Sequence, residues 1–149
     1  MTLKQKIYNH YLQLVNDKIR MLQQVLADLK ESGSNETKST AGDKHETALA
    51  MLQIEQANMR GQLSDALSRK AALERINPGL SVSVIVNGSL VKTNRGYLFV
   101  SIALGKLVIE EIPVIAISPQ SPLGQQLMGL TVNDVVEFRN TIYVIERVI

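Results

Sequence analysis

The sequence predicts an α+β chain: an N-terminal antiparallel α-helical coiled-coil hairpin, then an antiparallel β-domain with one short helix. Three observations predict it. Apolar residues recur at helical spacing up to about residue 76. The period changes at Asn77-Pro78-Gly79. After that point β-branched and aromatic runs of strand length alternate with turn residues. A period near 3.6 marks an amphipathic helix, and short β-branched runs bounded by turns mark strands. The expected domains are 1–76 and 77–149.

The first helix follows from Leu3, Ile7, Tyr11, Leu14, Val15, Ile19, Leu22, Val25, Leu26 and Leu29. Residues 3–31 at 1.5 Å each make a rod of about 43 Å. Leu49, Leu52, Met59, Leu63, Ala66 and Leu73 repeat the spacing, with Gln56 and Lys70 at the two weak positions. Each stripe is one face wide, so each helix needs a partner. Between them, Ser32 to Gly42 holds no large apolar residue and reads as the connection. Two long helices with a short polar link make a hairpin.

Six strands are expected at 82–86, 97–102, 106–109, 114–117, 135–138 and 142–145. Asn87-Gly88, Asn94-Arg95-Gly96 and Arg139-Asn140-Thr141 supply turns between them. One helix interrupts the strands. Ser121 suits its N-cap, Pro122 its first turn and Gly129 the position past its end. Helix 122–128 would lay Leu123, Leu127 and Met128 on the sheet.

Composition excludes several classes. Sixteen Lys and Arg against fourteen Asp and Glu leave +2 in 149 residues, too little for nucleic-acid binding by bulk charge. Aromatic residues are 4%, thin for base stacking. Cysteine is absent, which removes disulfides, thiol catalysis and Cys-ligated metals. The start shows no secretory leader, and no apolar run suits a membrane span. A cytoplasmic protein with no membrane partner is expected. There is no Walker loop, no nucleophile elbow and no His-Glu-x-x-His. The histidines are His10, expected on the surface, and His45.

The hairpin tip, near 32–46, gathers Glu31, Glu36, Asp43 and Glu46 against Lys38 and Lys44. Asp43 and Glu46 are three apart, so their carboxylates share a helix face. Asp-x-x-Glu before an apolar helix is also a capping pattern that complements the helix dipole. The other reading is a carboxylate pair lent to Mg²⁺. Mg²⁺ wants about six oxygens, so two exposed acids hold it weakly and matter only where another protein completes the site. His45 lies between them.

Two stretches resemble the bacterial Gre-type transcript-cleavage factors. One is Gly42-Asp43-Lys44-His45-Glu46-Thr47-Ala48, against Gly-Asp-x-x-Glu-Asn-Ala. The other is Ser121-Pro122-Leu123-Gly124-Gln125-Gln126-Leu127-Met128-Gly129, followed by Val132-Asn133-Asp134-Val135-Val136. The family pattern there is a Ser-Pro-(Leu/Ile)-(Gly/Ala) helix ending in Gly, then Val-Gly-Asp. The resemblance implies an FKBP-like β-domain and binding to bacterial RNA polymerase, with the hairpin in the secondary channel. It implies that Asp43 and Glu46 present carboxylates to a second Mg²⁺ shared with the polymerase, none being bound tightly by the free protein. The polymerase then cleaves the 3′ end of backtracked nascent RNA. On this reading the chain is an accessory factor, not an enzyme, with no independent sequence-specific nucleic-acid binding. Ser121, Pro122, Leu123, Gly124 and Gln125 become candidate partner-binding residues. Thr47 replaces the usual Asn, and Leu49-Ala50 replaces an acidic-aromatic pair. These departures leave open an alternative, a Gre-like channel regulator without cleavage activity. From other classes, a prolyl isomerase needs an aromatic-lined pocket, for which only Tyr97, Phe99, Phe138 and Tyr143 are available. A purely structural coiled coil leaves the acidic tip without a task.

Overall fold

The computed structural model describes the backbone of residues 1–36 and 43–149, and the side chains of 1–34 and 46–149. It contains a long helical hairpin, a six-stranded mixed sheet and one short helix. Two compact units make up the chain: Met1–Gln13 with Ala71–Ile149, and Leu14–Lys70.

Helix α1 runs Leu3–Glu36 and α2 runs Asp43–Glu74. A reciprocal cap starts α1. The Gln5 amide donates to Thr2 Oγ1 at 3.2 Å, and the Thr2 amide donates to Gln5 Oε1 at 2.9 Å. This Thr-x-x-Gln box satisfies two amides that the first turn would leave open. On α1 the buried residues are Lys4, Ile7, Tyr11, Val15, Ile19 and Leu22, with Val25, Leu26 and Leu29 half-buried. On α2 the half-buried or buried positions include Leu49, Leu52, Gln56, Met59, Leu63, Ala66, Lys70 and Leu73. Both stripes fall where the spacing predicts, weak positions included, except that Leu14 is exposed and Val15 beside it takes the buried place.

The end of α1 differs from expectation. The helix continues through Ser32-Gly33-Ser34 to Glu36, where the sequence predicts a connection. Continuing a formed helix over one Gly costs about 1 kcal/mol, whereas the large cost lies in starting one. Gly33 is half-buried, and the position its Cβ would take lies 4.0 Å from Gln56 Nε2 on α2. A small residue there faces the other helix. Of the expected connection, residues 37–42 lie outside the described residues.

The strands are β1 Leu90–Thr93, β2 Gly96–Val100, β3 Gly105–Ile109, β4 Ile112–Ile117, β5 Val135–Phe138 and β6 Thr141–Val148. Helix α3, Pro122–Leu127, lies between β4 and β5. The sheet order is β3-β4-β2-β1-β6-β5. Four pairings are antiparallel; β2 and β4 run parallel, with Tyr97 opposite Val114 and Val100 opposite Ile117.

One expected strand is absent. Residues 82–86 form no strand, and the first strand is β1, seven residues beyond Ser83. The segment is held at isolated points. Ile85 donates to Leu130 O at 2.8 Å and accepts from the Gly129 amide at 2.8 Å. The Ser83 carbonyl accepts from Thr131 Oγ1 at 2.9 Å. Two anchors fix the chain without a ladder. The Asn87-Gly88 turn does form, closed by the Ser89 amide on Val86 O at 3.0 Å, with Gly88 at φ 96°. It leads into β1 instead of joining two strands.

The sheet of the first unit is covered on both faces. Leu90, Phe99, Ile109, Val114 and Ala116 pack with Ile7 and Tyr11 of α1, with Leu73 of α2 and with Ile76 just after it. Val91, Leu98, Val100, Val136 and Ile145 pack with Leu127 of α3 and with Ile85. Alternate residues of β2 thus enter opposite cores, as the two-residue strand period requires.

Candidate functional site

Asp43 opens α2; its side chain lies outside those described. Glu46, one turn later, is exposed. Among the described residues, no three His, Cys, Asp or Glu side chains cluster as a metal site. Among the described side chains of the tip, Glu46 offers one carboxylate, a fraction of the roughly six oxygens that Mg²⁺ takes. His10 is exposed, and the side chain of His45 lies outside those described.

The Ser121 motif is built around the start of α3. Ser121 Oγ accepts from the Gly124 amide at 3.1 Å and donates to the Ser118 carbonyl at 2.6 Å. The Ser121 carbonyl accepts from the Gln125 amide at 2.8 Å. Pro122 occupies the first helical position, where its missing N–H costs nothing. Gly124 is buried, and a Cβ there would overlap the Ser118 carbonyl oxygen. Each of these three residues therefore has a local structural duty. Leu123 is half-buried against the second core, while Pro122, Gln125 and Gln126 are exposed. Gln125 Nε2 donates to Gln120 O at 3.1 Å. Gln125 and Gln126 thus place two glutamine side chains on the exposed side of α3.

The rest of that motif follows the same logic. Gly129 takes φ 82° past the end of α3, and Asn133 takes φ 75°. Asn tolerates this left-handed region better than most residues, and it stands where the family motif carries Gly. Asp134 Oδ2 accepts from the Thr131 amide at 2.8 Å, closing the turn into β5.

Two buried side chains of α1 carry polar groups: Lys4, which the helical stripe did not include, and Tyr11, which it did. Lys4 is 5% exposed. Its ammonium donates to Leu80 O at 2.5 Å and Ile149 O at 3.1 Å, and burial pushes its pKa down. Lys4 precedes Ile7 by three residues on the apolar face, and that spacing is the signal for it. Tyr11 is fully buried; its hydroxyl lies 2.8 Å from Gly105 O and 3.2 Å from Val114 O. Burial pushes its pKa up to about 12, with backbone groups of Ala116 and Leu107 pulling the other way.

No protein-family model matches the chain, and no curated protein matches it. Among solved structures it is similar to that of the transcription factor Gfh1, at 21% identity and a TM-score of 0.32. The match covers 95% of this chain and 92% of that one. A superposition at that score carries no argument for fold or function. No helix among the described residues is long and apolar enough to cross a membrane.

Proposed function

We propose that this chain is a Gre-type transcription elongation factor that binds bacterial RNA polymerase. The single observation that carries the reading is architectural. Asp43 and Glu46 open the second helix of a hairpin built from helices of 34 and 32 residues, and the sheet that follows has the capped Ser-Pro-Leu-Gly helix between its fourth and fifth strands. This is the order of elements that the two sequence motifs imply.

On this reading the hairpin enters the polymerase's secondary channel and offers Asp43 and Glu46 to a Mg²⁺ shared with the polymerase. A second metal in such a site stabilises one of the two oxygens of an in-line displacement. The chain's own part is to carry two carboxylates on a stiff support and to hold them on one helical face. It acts as an accessory factor, and the RNA bond is broken by the polymerase. Leu123, Gln125 and the rest of the α3 surface dock the sheet unit.

A second reading has one observation in its favour. An acid that opens a helix is stabilised by the helix dipole, by roughly 0.3–1 kcal/mol, so Asp43 has a use without any metal. The chain would then occupy the channel without stimulating cleavage. Both readings require polymerase binding. Gel filtration of the chain with core RNA polymerase tests that requirement. Co-elution is expected, and separate elution at low salt contradicts both readings.

A further inference from the structure

Asn87-Gly88 is the one Asn-Gly step in the chain. Such a step deamidates more readily than other Asn steps, because glycine puts no side chain in the way of its own amide nitrogen. That nitrogen, once deprotonated, attacks the carbonyl carbon of the Asn side chain. A bond forms between Gly88 N and Asn87 Cγ, the Cγ–Nδ2 bond breaks, and Nδ2 leaves as ammonia. Water then opens the cyclic imide at either carbonyl. Hydrolysis at Cγ leaves aspartate. Hydrolysis at the main-chain carbonyl leaves isoaspartate, whose main chain is one carbon longer.

The fold exposes the side chain and withholds the nucleophile. Asn87 is exposed, whereas Gly88 is buried. The Gly88 amide donates to Val100 O at 2.6 Å, and the Val100 amide donates to Ser89 O at 2.9 Å. Attack on Cγ needs the Gly88 nitrogen free to lose its proton, so the bond to Val100 must open first.

Opening is opposed around the whole turn. The Ser89 amide donates to Val86 O at 3.0 Å, and Ser89 Oγ accepts from the Val86 amide at 2.9 Å. Ser89 is itself buried. Buried Ile76 closes the other side: a Cβ on Gly88 would lie 2.9 Å from its Cγ2. A segment pinned by buried contacts and buried hydrogen bonds opens rarely.

We infer that Asn87 is a modification site gated by the fold: it deamidates only while the Val86–Ser89 turn is open, and isoaspartate at position 87 then prevents the turn from re-forming. The added main-chain carbon enlarges the ring that the Ser89 amide closes on Val86 O and carries Gly88 out of line with Val100. Conversion thus marks chains whose lead into β1 has been open. Nothing in this depends on polymerase binding.

The test holds the full chain at mildly alkaline pH and reads conversion at Asn87 by peptide mass mapping, beside hydrogen exchange of the Gly88 amide. Both reactions pass through the same deprotonated nitrogen, so they share one opening equilibrium. The native conversion rate divided by the rate in guanidinium chloride should match the open fraction from Gly88 exchange within about threefold. In guanidinium chloride, conversion should run fastest at Asn87, ahead of Asn94 and Asn140. Ser89→Ala takes the acceptor from the Val86 amide, so it should speed native conversion and Gly88 exchange together, by about tenfold. Refolded chains carrying isoaspartate at position 87 should exchange fast at Gly88, and chains carrying aspartate should stay slow. Native conversion as fast as in guanidinium chloride overturns the inference. So does conversion unmoved by Ser89→Ala while Gly88 exchange rises, absence of conversion at Asn87 in the unfolded chain, or slow Gly88 exchange in the isoaspartate chain.

Discussion

The Ser118 carbonyl oxygen occupies the space that a Cβ on residue 124 would need. Gly124 is therefore fixed by its neighbour's backbone, and the Ser121 cap draws that same carbonyl in through a 2.6 Å hydrogen bond. Gly124→Ala must displace backbone, and overpacking of a tight site costs about 1–3 kcal/mol or more. Gly61 is the control: it lies inside α2 with nothing within 4 Å of a Cβ. Gly61→Ala should stabilise by about 0.5–1 kcal/mol. Urea unfolding of both variants checks the pair of signs.

The β3–β4 hairpin turns on Glu110 and Glu111, at φ 51° and 68°. Two-residue hairpin turns of this hand favour Asn and Gly, and a left-handed residue with a Cβ costs roughly 1–2 kcal/mol. Glu111→Gly should raise stability by about 1 kcal/mol after its own entropy cost. Glu110 also meets Lys6 at 3.0 Å. Both side chains are substantially exposed, so Glu110→Gln should change stability by less than about 1 kcal/mol. Thermal unfolding of the two single variants separates turn strain from ion pairing.

Tyr11 sets an alkaline limit. Its folded pKa, about 12, lies above the ordinary 10.0, so the unfolded chain loses this proton first. Stability is fully present below pH 10 and is lost as pH rises toward 12, by on the order of 2 kcal/mol. Lys4 acts in the opposite sense: its folded pKa is lowered, so its contribution is complete above pH 10.5 and is lost as pH falls through the folded value. Tyr8 is raised by burial and by Glu74 and adds to the Tyr11 limb. Tyr11→Phe should be less stable at neutral pH, because two carbonyls lose their hydroxyl partner, yet show a flatter decline above pH 10.5. An unchanged slope in denaturant unfolding at pH 10–12 would contradict the assignment.

The buried stripes of the helices were largely legible, Leu14 and the end of α1 aside, because a stripe that meets one partner is written in the spacing. Gln56 and Lys70 sit half-buried where the register puts them. The α3 cap was legible for a local reason: Ser, Pro and Gly each answer one backbone requirement. Val82–Val86 was misleading because strand composition does not supply a strand partner. Ile85 spends its backbone groups on the end of α3 instead. The parallel β2–β4 pairing depends on the crossover through β3, which no local pattern encodes. Lys4 was hidden by its charge, although its place on the buried face was visible. At the tip, sequence supplies the acids and their spacing, and the side chains of Asp43 and His45 lie outside those described.

The central claim is that Asp43 and Glu46 act on RNA inside the polymerase. The direct measurement adds the chain and Mg²⁺ to stalled, backtracked polymerase carrying end-labelled RNA, beside the Asp43→Asn/Glu46→Gln double variant. The account predicts RNA shortened by the native chain and left intact by the variant, with both proteins still bound to polymerase. Equal shortening by the two proteins, or none by the native chain while it stays bound, would contradict it and return both acids to the start of α2 as helix-capping groups.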